Sequence, residues 1–234
     1  MKNFLIWLGA FAGFFPVIHG KAQNTHQFPA IEYVENQGQW DGPFRYKALT
    51  SRGDLYVRNN GFTVVVSDGA NREKIHAYKH GESTQVPELK YFAYEMNFLG
   101  ANPEADFTQS KKEKHFYNYY LGQDPAKWKS MIYPARVVDR KNLYTGIDLH
   151  LYSDQGNIKY DYIIHPGANV SRIKLEYKGV TGLSLKNGNL QVQTSLGTHQ
   201  ELKPYAYQYI DGEKIEVLCE YVIQDAVVGF ETKS

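Results

Sequence analysis

The sequence predicts an all-β protein, an antiparallel β-sandwich whose strands are joined by hairpins. Apolar and polar residues alternate along most runs, two-residue turn signals separate those runs, and the sequence has no long amphipathic helical pattern. The one helical signal is Asp124-Pro125, an N-cap acceptor followed by proline at the first helical position, which predicts one short helix near residues 124–129. Strands spaced this closely favour a sandwich over an α/β sheet.

The alternation is clearest in the second half of the chain. Leu190 and Val192 alternate with glutamine, which predicts a strand with one solvent-exposed face. Tight turns are predicted where glycine can adopt positive φ without strain. These turns are Asn60-Gly61, Asn187-Gly188 and Asp211-Gly212. Residues 68–88 form the most polar and least patterned stretch, so a loop is expected there.

Residues 1–22 are typical of a cleavable secretory signal peptide. Lys2 provides the positive charge, an apolar stretch follows, and Gly20 and Ala22 are small residues spaced as a signal peptidase requires. The apolar stretch is shorter than a membrane-spanning helix needs. We therefore expect cleavage between Ala22 and Gln23 and an exported product, whether periplasmic, secreted or at the cell surface. Contact with a membrane is expected only through the signal peptide before cleavage.

The rest of the chain is expected to form a flexible N-terminal segment over residues 23–30 and a single β-sandwich-like domain over residues 31–231. Two smaller domains would also fit the length of the predicted mature chain, but no linker sequence divides that chain. The 26 basic and 25 acidic side chains nearly balance, and neither sign forms a long run. Nothing in this charge pattern would attract nucleic acid, so no nucleic-acid partner is expected.

A series of motifs occurs in a fixed order along nearly the whole predicted mature chain. They are residues 33–41 (YVENQGQWD), 53–62 (GDLYVRNNGF), 96–102 (MNFLGAN), 116–128 (FYNYYLGQDPAKW), 142–148 (NLYTGID), 156–161 (GNIKYD) and 201–208 (ELKPYAYQ). Together they resemble the N-terminal domain of unknown function of large secreted and cell-surface proteins of Bacteroidetes-type bacteria. The later parts of such proteins carry β-propeller (SBBP-type) repeats, PKD-like domains and a gliding-motility-associated or type IX sorting segment.

The resemblance implies a setting outside the cytoplasm but no activity that can be assigned to particular residues. Members of this family continue into further domains, whereas this sequence ends at Ser234. Downstream domains are therefore among the expected partners, beside a surface glycan or a surface protein.

Known catalytic and ligand-binding motifs are missing from the sequence. It has no His-Glu-x-x-His, calcium-loop, P-loop or Gly-x-Ser-x-Gly pattern, and we assign no catalytic residue, cofactor or metal ligand. His76 and His80, in an extended stretch, would lie about 13 Å apart, too far to share one ion. Cys219 is the only cysteine, and its place in an alternating run predicts an inert core thiol.

Two further sequence features can each be interpreted either as functional or as structural. Asp148 and His150 share one face of a predicted strand, which would permit acid–base chemistry but is also typical of a solvated strand face. The tripeptide 52–54 (RGD) matches a cell-attachment signal but falls at a predicted turn.

The high content of aromatic residues, with 19 tyrosines and 3 tryptophans, is the most informative feature of the composition. Trp40 and Trp128 lie in predicted loops and are candidate ligand contacts, or else anchors that pin those loops to the core. We therefore expect a non-catalytic extracytoplasmic structural or interaction module. The alternatives are a carbohydrate-binding module that uses exposed aromatic side chains and a hydrolase with an unrecognised site.

Overall fold

The computed structural model describes residues 3–7, 11–12, 30–50 and 53–233. Strands account for about 56% of the structure and helices for about 7%, in large antiparallel sheets. The predicted all-β class is confirmed. The predicted cleavage position between Ala22 and Gln23 lies outside the described residues, as does the predicted flexible segment apart from Ala30. Arg52 of the attachment tripeptide also lies outside them.

Strands make up nearly all of the regular structure, and the helical elements are short. In chain order the strands are β1 (Asn3–Trp7), β2 (Phe11–Ala12), β3 (Tyr33–Glu35), β4 (Tyr46–Thr50), β5 (Gly53–Arg58), β6 (Gly61–Ser67), β7 (Tyr91–Phe98), β8 (Phe107–Lys112), β9 (Tyr117–Tyr119), β10 (Lys129–Ile132), β11 (Ala135–Tyr144), β12 (Ile147–Asp154), β13 (Asn157–Ile164), β14 (Leu175–Lys178), β15 (Gly182–Lys186), β16 (Asn189–Thr194), β17 (Gly197–Glu201), β18 (Tyr205–Ile210), β19 (Glu213–Gln224) and β20 (Val227–Lys233). The helices are α1 (Asn71–Lys79) and two 3-10 turns, Pro125–Lys127 and Val170–Arg172.

Fourteen strands form the main sheet, in the order β12-β13-β1-β18-β19-β20-β14-β7-β6-β5-β4-β3-β11-β8. Because β12 also pairs with β11, the sheet folds back on itself. Phe62 of β6 and Tyr160 of β13 are distant in this order, yet their ring centres lie 6.0 Å apart across the core. Two smaller sheets complete the fold, one with the order β15-β16-β17-β2 and one formed by β9 and β10.

Alternation places one face of most strands in a shared core. Leu190 and Val192 on β16 are fully buried, as the sequence predicted, and buried side chains from across the main sheet belong to one cluster. Cys219 lies in that cluster, and burial raises the pKa of its thiol to about 11. The predicted core thiol is confirmed, and it stays protonated at neutral pH.

The predicted short helix and two of the predicted turns appear where expected. The Asp124 side chain accepts a hydrogen bond from the backbone N–H of Ala126 (3.0 Å) and caps the 3-10 turn at Pro125–Lys127. In the turns at 187–188 and 211–212 both residues have positive φ, the geometry that matches the twist of a hairpin. Within the described part of the chain, no helix is both long and apolar enough to span a membrane.

The loop predicted over residues 68–88 was wrong in its first half, because residues 71–79 form helix α1. The Asn71 side chain holds this helix by donating to the carbonyl oxygen of Lys90 (2.7 Å) and accepting from its N–H (3.0 Å). Consequently His76 and His80 are not extended, and their ring centres are 4.2 Å apart instead of about 13 Å. The distance argument against a shared ion was therefore wrong.

Candidate functional site

The hairpin of β9 and β10 presents a strip of exposed aromatic side chains, which we call the aromatic surface. The exposed fraction is 61% for Tyr120 and 42% for Trp128. The 3-10 turn at Pro125–Lys127 returns the chain from the end of β9 to β10, so that Tyr119 pairs with Lys129. The aromatic surface consists of the exposed Phe116, Tyr117, Tyr120, Trp128 and Tyr133 and the half-buried Tyr119, with Trp40 at its border.

Edge-to-face contacts fix the orientation of the exposed rings. The ring centres of Tyr120 and Trp128 are 5.9 Å apart at an interplanar angle of 73°, and those of Phe116 and Tyr133 are 5.7 Å apart at 64°. The indole Nε1 of Trp128 donates to the carbonyl oxygen of Gly122 (3.3 Å). Such contacts are a preferred geometry for aromatic pairs, so the rings are ordered before any ligand arrives.

Trp40 is half-buried and holds its loop against the hairpin. Its ring centre lies 4.7 Å from that of Tyr119, and the Lys47 ammonium lies 5.7 Å from the indole. The Asn36 side chain donates to the carbonyl oxygen of Trp40 (3.1 Å) and accepts from its N–H (3.4 Å). These contacts make Trp40 an anchor of the loop, while part of its ring stays open to solvent.

An ion pair joins the loops that carry the two tryptophans. Lys127, which precedes Trp128, places its Nζ 2.8 Å from both carboxylate oxygens of Asp41, which follows Trp40. Exposed pairs of this kind add little to stability. The ion pair thus brings the loops of Trp40 and Trp128 together, and the role of the two tryptophans as ligand contacts stays a prediction.

A cluster of possible metal ligands lies beside the aromatic surface. One ligand atom from each of Glu32, Glu113 and His115 lies within 4.8 Å of the other two. Strand β11 explains this proximity, because its Ala135 pairs with residues of both β3 and β8, next to Glu32 and Glu113. Sequence reasoning missed the cluster because no spacing pattern links its members. The signal exists only in the strand order.

Tyr117 links this cluster to the aromatic surface. Its hydroxyl donates to Oε2 of Glu32 (2.7 Å), and its ring meets that of His115 edge to face at 5.4 Å. The hydrogen bond to Glu32, with burial as a smaller cause, raises the pKa of Tyr117 to about 12. At neutral pH the phenol therefore stays protonated and remains a donor to the carboxylate.

The polar side chains of β12 contact side chains of neighbouring segments. Nδ1 of His150 lies 2.5 Å from Asp139, while Asp148 contacts the ammonium of Lys141 (3.0 Å) and Nε2 of His165 (3.0 Å). Burial alone would raise the pKa of Asp148, but hydrogen bonds from the backbone N–H of residue 142, His165 and Lys141 together lower it. Asp148 and His150 thus have separate partners, but Asp148 is buried, so this is not the solvated strand face of the structural interpretation.

A buried carboxyl group lies in the core, away from solvent. Glu201 is fully buried and accepts hydrogen bonds from the hydroxyl groups of Tyr160 (2.7 Å) and Tyr177 (2.6 Å). The nearby hydroxyl groups of Tyr94 and Tyr162 have no partner among the described residues. This cluster is a polar part of the core, and no pattern in the sequence indicates it.

A family described as a domain of unknown function, DUF7948, matches residues 33–234. The chain belongs to this family. Every residue of the aromatic surface lies inside the DUF7948 match, as do Glu113 and His115, while Glu32 lies one position before it. The domain of unknown function predicted from the ordered motifs is confirmed at this level. No curated protein and no solved structure matches the chain.

Proposed function

We propose that this DUF7948 chain is a non-catalytic interaction module of an exported protein and that it binds its partner through the aromatic surface. The ordered motifs support a setting among the secreted and cell-surface proteins of Bacteroidetes-type bacteria. The signal-peptide pattern of residues 1–22 supports export. The contacts of Asp148 with Lys141 and of His150 with Asp139 favour a structural use of the polar residues that would otherwise suggest catalysis.

The observation that carries the proposal is the exposure of ordered aromatic rings on one hairpin. Clustered exposed apolar side chains mark interaction sites more often than scattered ones do. Rings fixed by neighbouring rings lose little conformational entropy on binding, which favours affinity. Trp128 and Tyr120 combine high exposure with such contacts, so they are the residues expected to contribute most.

A carbohydrate is a second candidate for the bound partner. Tyrosine and tryptophan rings offer flat apolar faces on which sugar rings stack. The exposed ion pair of Lys127 and Asp41 lies next to Trp128 and Trp40 and provides both a donor and acceptors for sugar hydroxyl groups. Stacking beside a charged pair is the observation that favours a glycan.

The binding proposal can be tested with bacterial surface polysaccharides and glycans presented on an array. We expect Trp128→Ala and Tyr120→Ala to abolish any binding that the unmodified chain shows. Tyr91→Ala is the matched control, because Tyr91 is a 56% exposed tyrosine outside the aromatic surface. Absence of binding to every polysaccharide and glycan tested would exclude the carbohydrate candidate. Binding that survives both aromatic substitutions would overturn the proposed surface.

Export has its own test. Expression of the full chain in a host with an intact secretion pathway should yield a product outside the cytoplasm whose first residue is Gln23, as determined by intact mass and N-terminal sequencing. An uncleaved product retained in the cytoplasm would contradict the export proposal and leave the binding proposal untouched.

A further inference from the structure

We propose that Glu32, Glu113 and His115 form a binding site for a divalent transition-metal ion, of which zinc is the best match. Zinc sites with an open position have three protein ligands and one water or substrate atom, and histidine nitrogen and carboxylate oxygen are among the donors that zinc accepts. Calcium instead takes six to eight oxygen ligands. One imidazole and two carboxylates therefore suit zinc better than calcium. The site is independent of the binding role proposed above.

The distances between the ligand atoms suit a shared ion. Nε2 of His115 lies 3.2 Å from Oε1 of Glu32. Two donors that each lie about 2.0–2.1 Å from a tetrahedral zinc ion are about 3.3–3.4 Å apart. The ligand atom of Glu113 is within 4.8 Å of the other two, so all three donors lie around one point.

Each carboxylate already has the outer hydrogen bond that metal ligands usually have. Tyr117 donates to Oε2 of Glu32, and the Nε of Arg136 donates to Oε1 of Glu113. Such outer partners orient ligands and increase metal affinity. The edge-to-face contact with Tyr117 orients the His115 ring in the same way.

Charge and exposure are also consistent with metal binding. Arg136 offsets one of the two carboxylates, so the cluster keeps one net negative charge when His115 is neutral, and that charge attracts a cation. The side chain of His115 is 50% exposed, and those of Glu32 and Glu113 about 20% exposed. An ion would therefore be reachable from solvent and would keep an open position beside the aromatic surface.

The simplest competing interpretation is a surface ion pair between protonated His115 and Glu32. Zinc titration of the purified full chain, followed by calorimetry at pH 7.5, distinguishes the two. His76 and His80 form a second possible zinc-binding pair, with ring centres 4.2 Å apart. The titration is therefore made in a His76→Ala/His80→Ala background.

In that background we expect one equivalent of zinc to bind, and His115→Ala to weaken binding at least about tenfold. Glu113→Gln should weaken it as well, which guards against misfolding of a single variant. His165→Ala is the matched control, because His165 is also exposed and also pairs with a carboxylate, that of Asp148. His165→Ala should change zinc affinity less than about twofold, which is the range expected for a surface substitution.

A spectroscopic readout complements calorimetry. Cobalt(II) added in place of zinc should give visible absorption bands that His115→Ala removes and His165→Ala keeps. Absence of zinc binding in the background variant would overturn the proposal in favour of the ion pair. Binding unaffected by both His115→Ala and Glu113→Gln would overturn it as well.

Discussion

The guanidinium group of Arg140 lies 4.4 Å from the centre of the Phe107 ring, and the Arg140 side chain is fully buried. Burial lowers the pKa of Arg140 to about 10, so it is still charged at neutral pH. Its nitrogens donate to the backbone carbonyl oxygens of Asn59, Asn102, Pro103 and Ala105. Arg140 thereby ties the turn between β5 and β6 to the segment between β7 and β8.

We expect Arg140→Met to lower the free energy of unfolding by at least about 3 kcal/mol, because four carbonyl groups lose a charged donor together and that of Ala105 is buried. Arg140→Lys should also destabilise, since an ammonium cannot reproduce the planar fork of donors. Urea unfolding followed by tryptophan fluorescence measures both effects. The exposed Arg45 gives the control, and Arg45→Met should stay within about 0.5 kcal/mol of the parent. An equal loss of unfolding free energy for Arg140→Met and Arg45→Met would contradict this role of Arg140.

The buried carboxyl group of Glu201 makes stability depend on pH. Burial raises its pKa, although the hydrogen bonds from Tyr177 and Tyr160 oppose the shift. Folding therefore favours the protonated acid. The resulting contribution is fully present below the unfolded pKa of about 4.3 and is lost as pH rises through the higher folded pKa.

Glu201→Gln should remove this loss, because glutamine is uncharged at every pH. Relative to the parent, the variant should gain stability as pH rises from 4 to 7.5, by up to about 1.4 kcal/mol for each unit of the folded pKa shift. Urea unfolding at several pH values measures the difference. Glu231 is exposed, so Glu231→Gln should follow the parent across the series. A difference between Glu201→Gln and the parent that does not change with pH would disprove the explanation.

Gly61 is required by a close approach between β6 and β7. A Cβ atom there would lie 2.0 Å from the carbonyl oxygen of Met96, and the φ of Gly61 is +151°. We expect Gly61→Ala to cost at least about 2 kcal/mol. Gly69→Ala is the control, since a Cβ at Gly69 would meet no atom within 4 Å. Thermal unfolding compares the two, and a similar melting temperature for both variants would contradict the steric argument.

The local pattern of apolar and polar residues was sufficient to predict the strands but not the clusters of side chains that come from different strands. The burial of Leu190 and Val192 follows from alternation alone, because one face of a strand must be covered. Helix α1 escaped prediction because Asn71 anchors it through Lys90, a contact made between distant residues. The cluster of Glu32, Glu113 and His115 likewise depends on which strands flank β11, and no local spacing encodes that order.

Residues 3–7 connect the fold to the predicted export signal. Strand β1 lies between β13 and β18, with Leu5 in register with Ile163 on one side and Tyr207 on the other. Signal-peptide removal after Ala22 would take β1 away. The facing edges of β13 and β18 would then lose their hydrogen-bond partners, and unpaired edges of this kind readily accept another strand.

We expect the chain without residues 1–22 to exchange backbone amide hydrogens faster over 162–164 and 205–209 than the full chain does, because exchange reports lost pairing. Leu5→Pro in the full chain should reproduce this pattern, since proline lacks the N–H group that β1 needs. Strands β5 and β6 pair with each other and not with β1, so they serve as the internal control. Hydrogen exchange with mass spectrometry makes the comparison. Unchanged protection of β13 and β18 in both variants would mean that β1 contributes no pairing to the folded sheet.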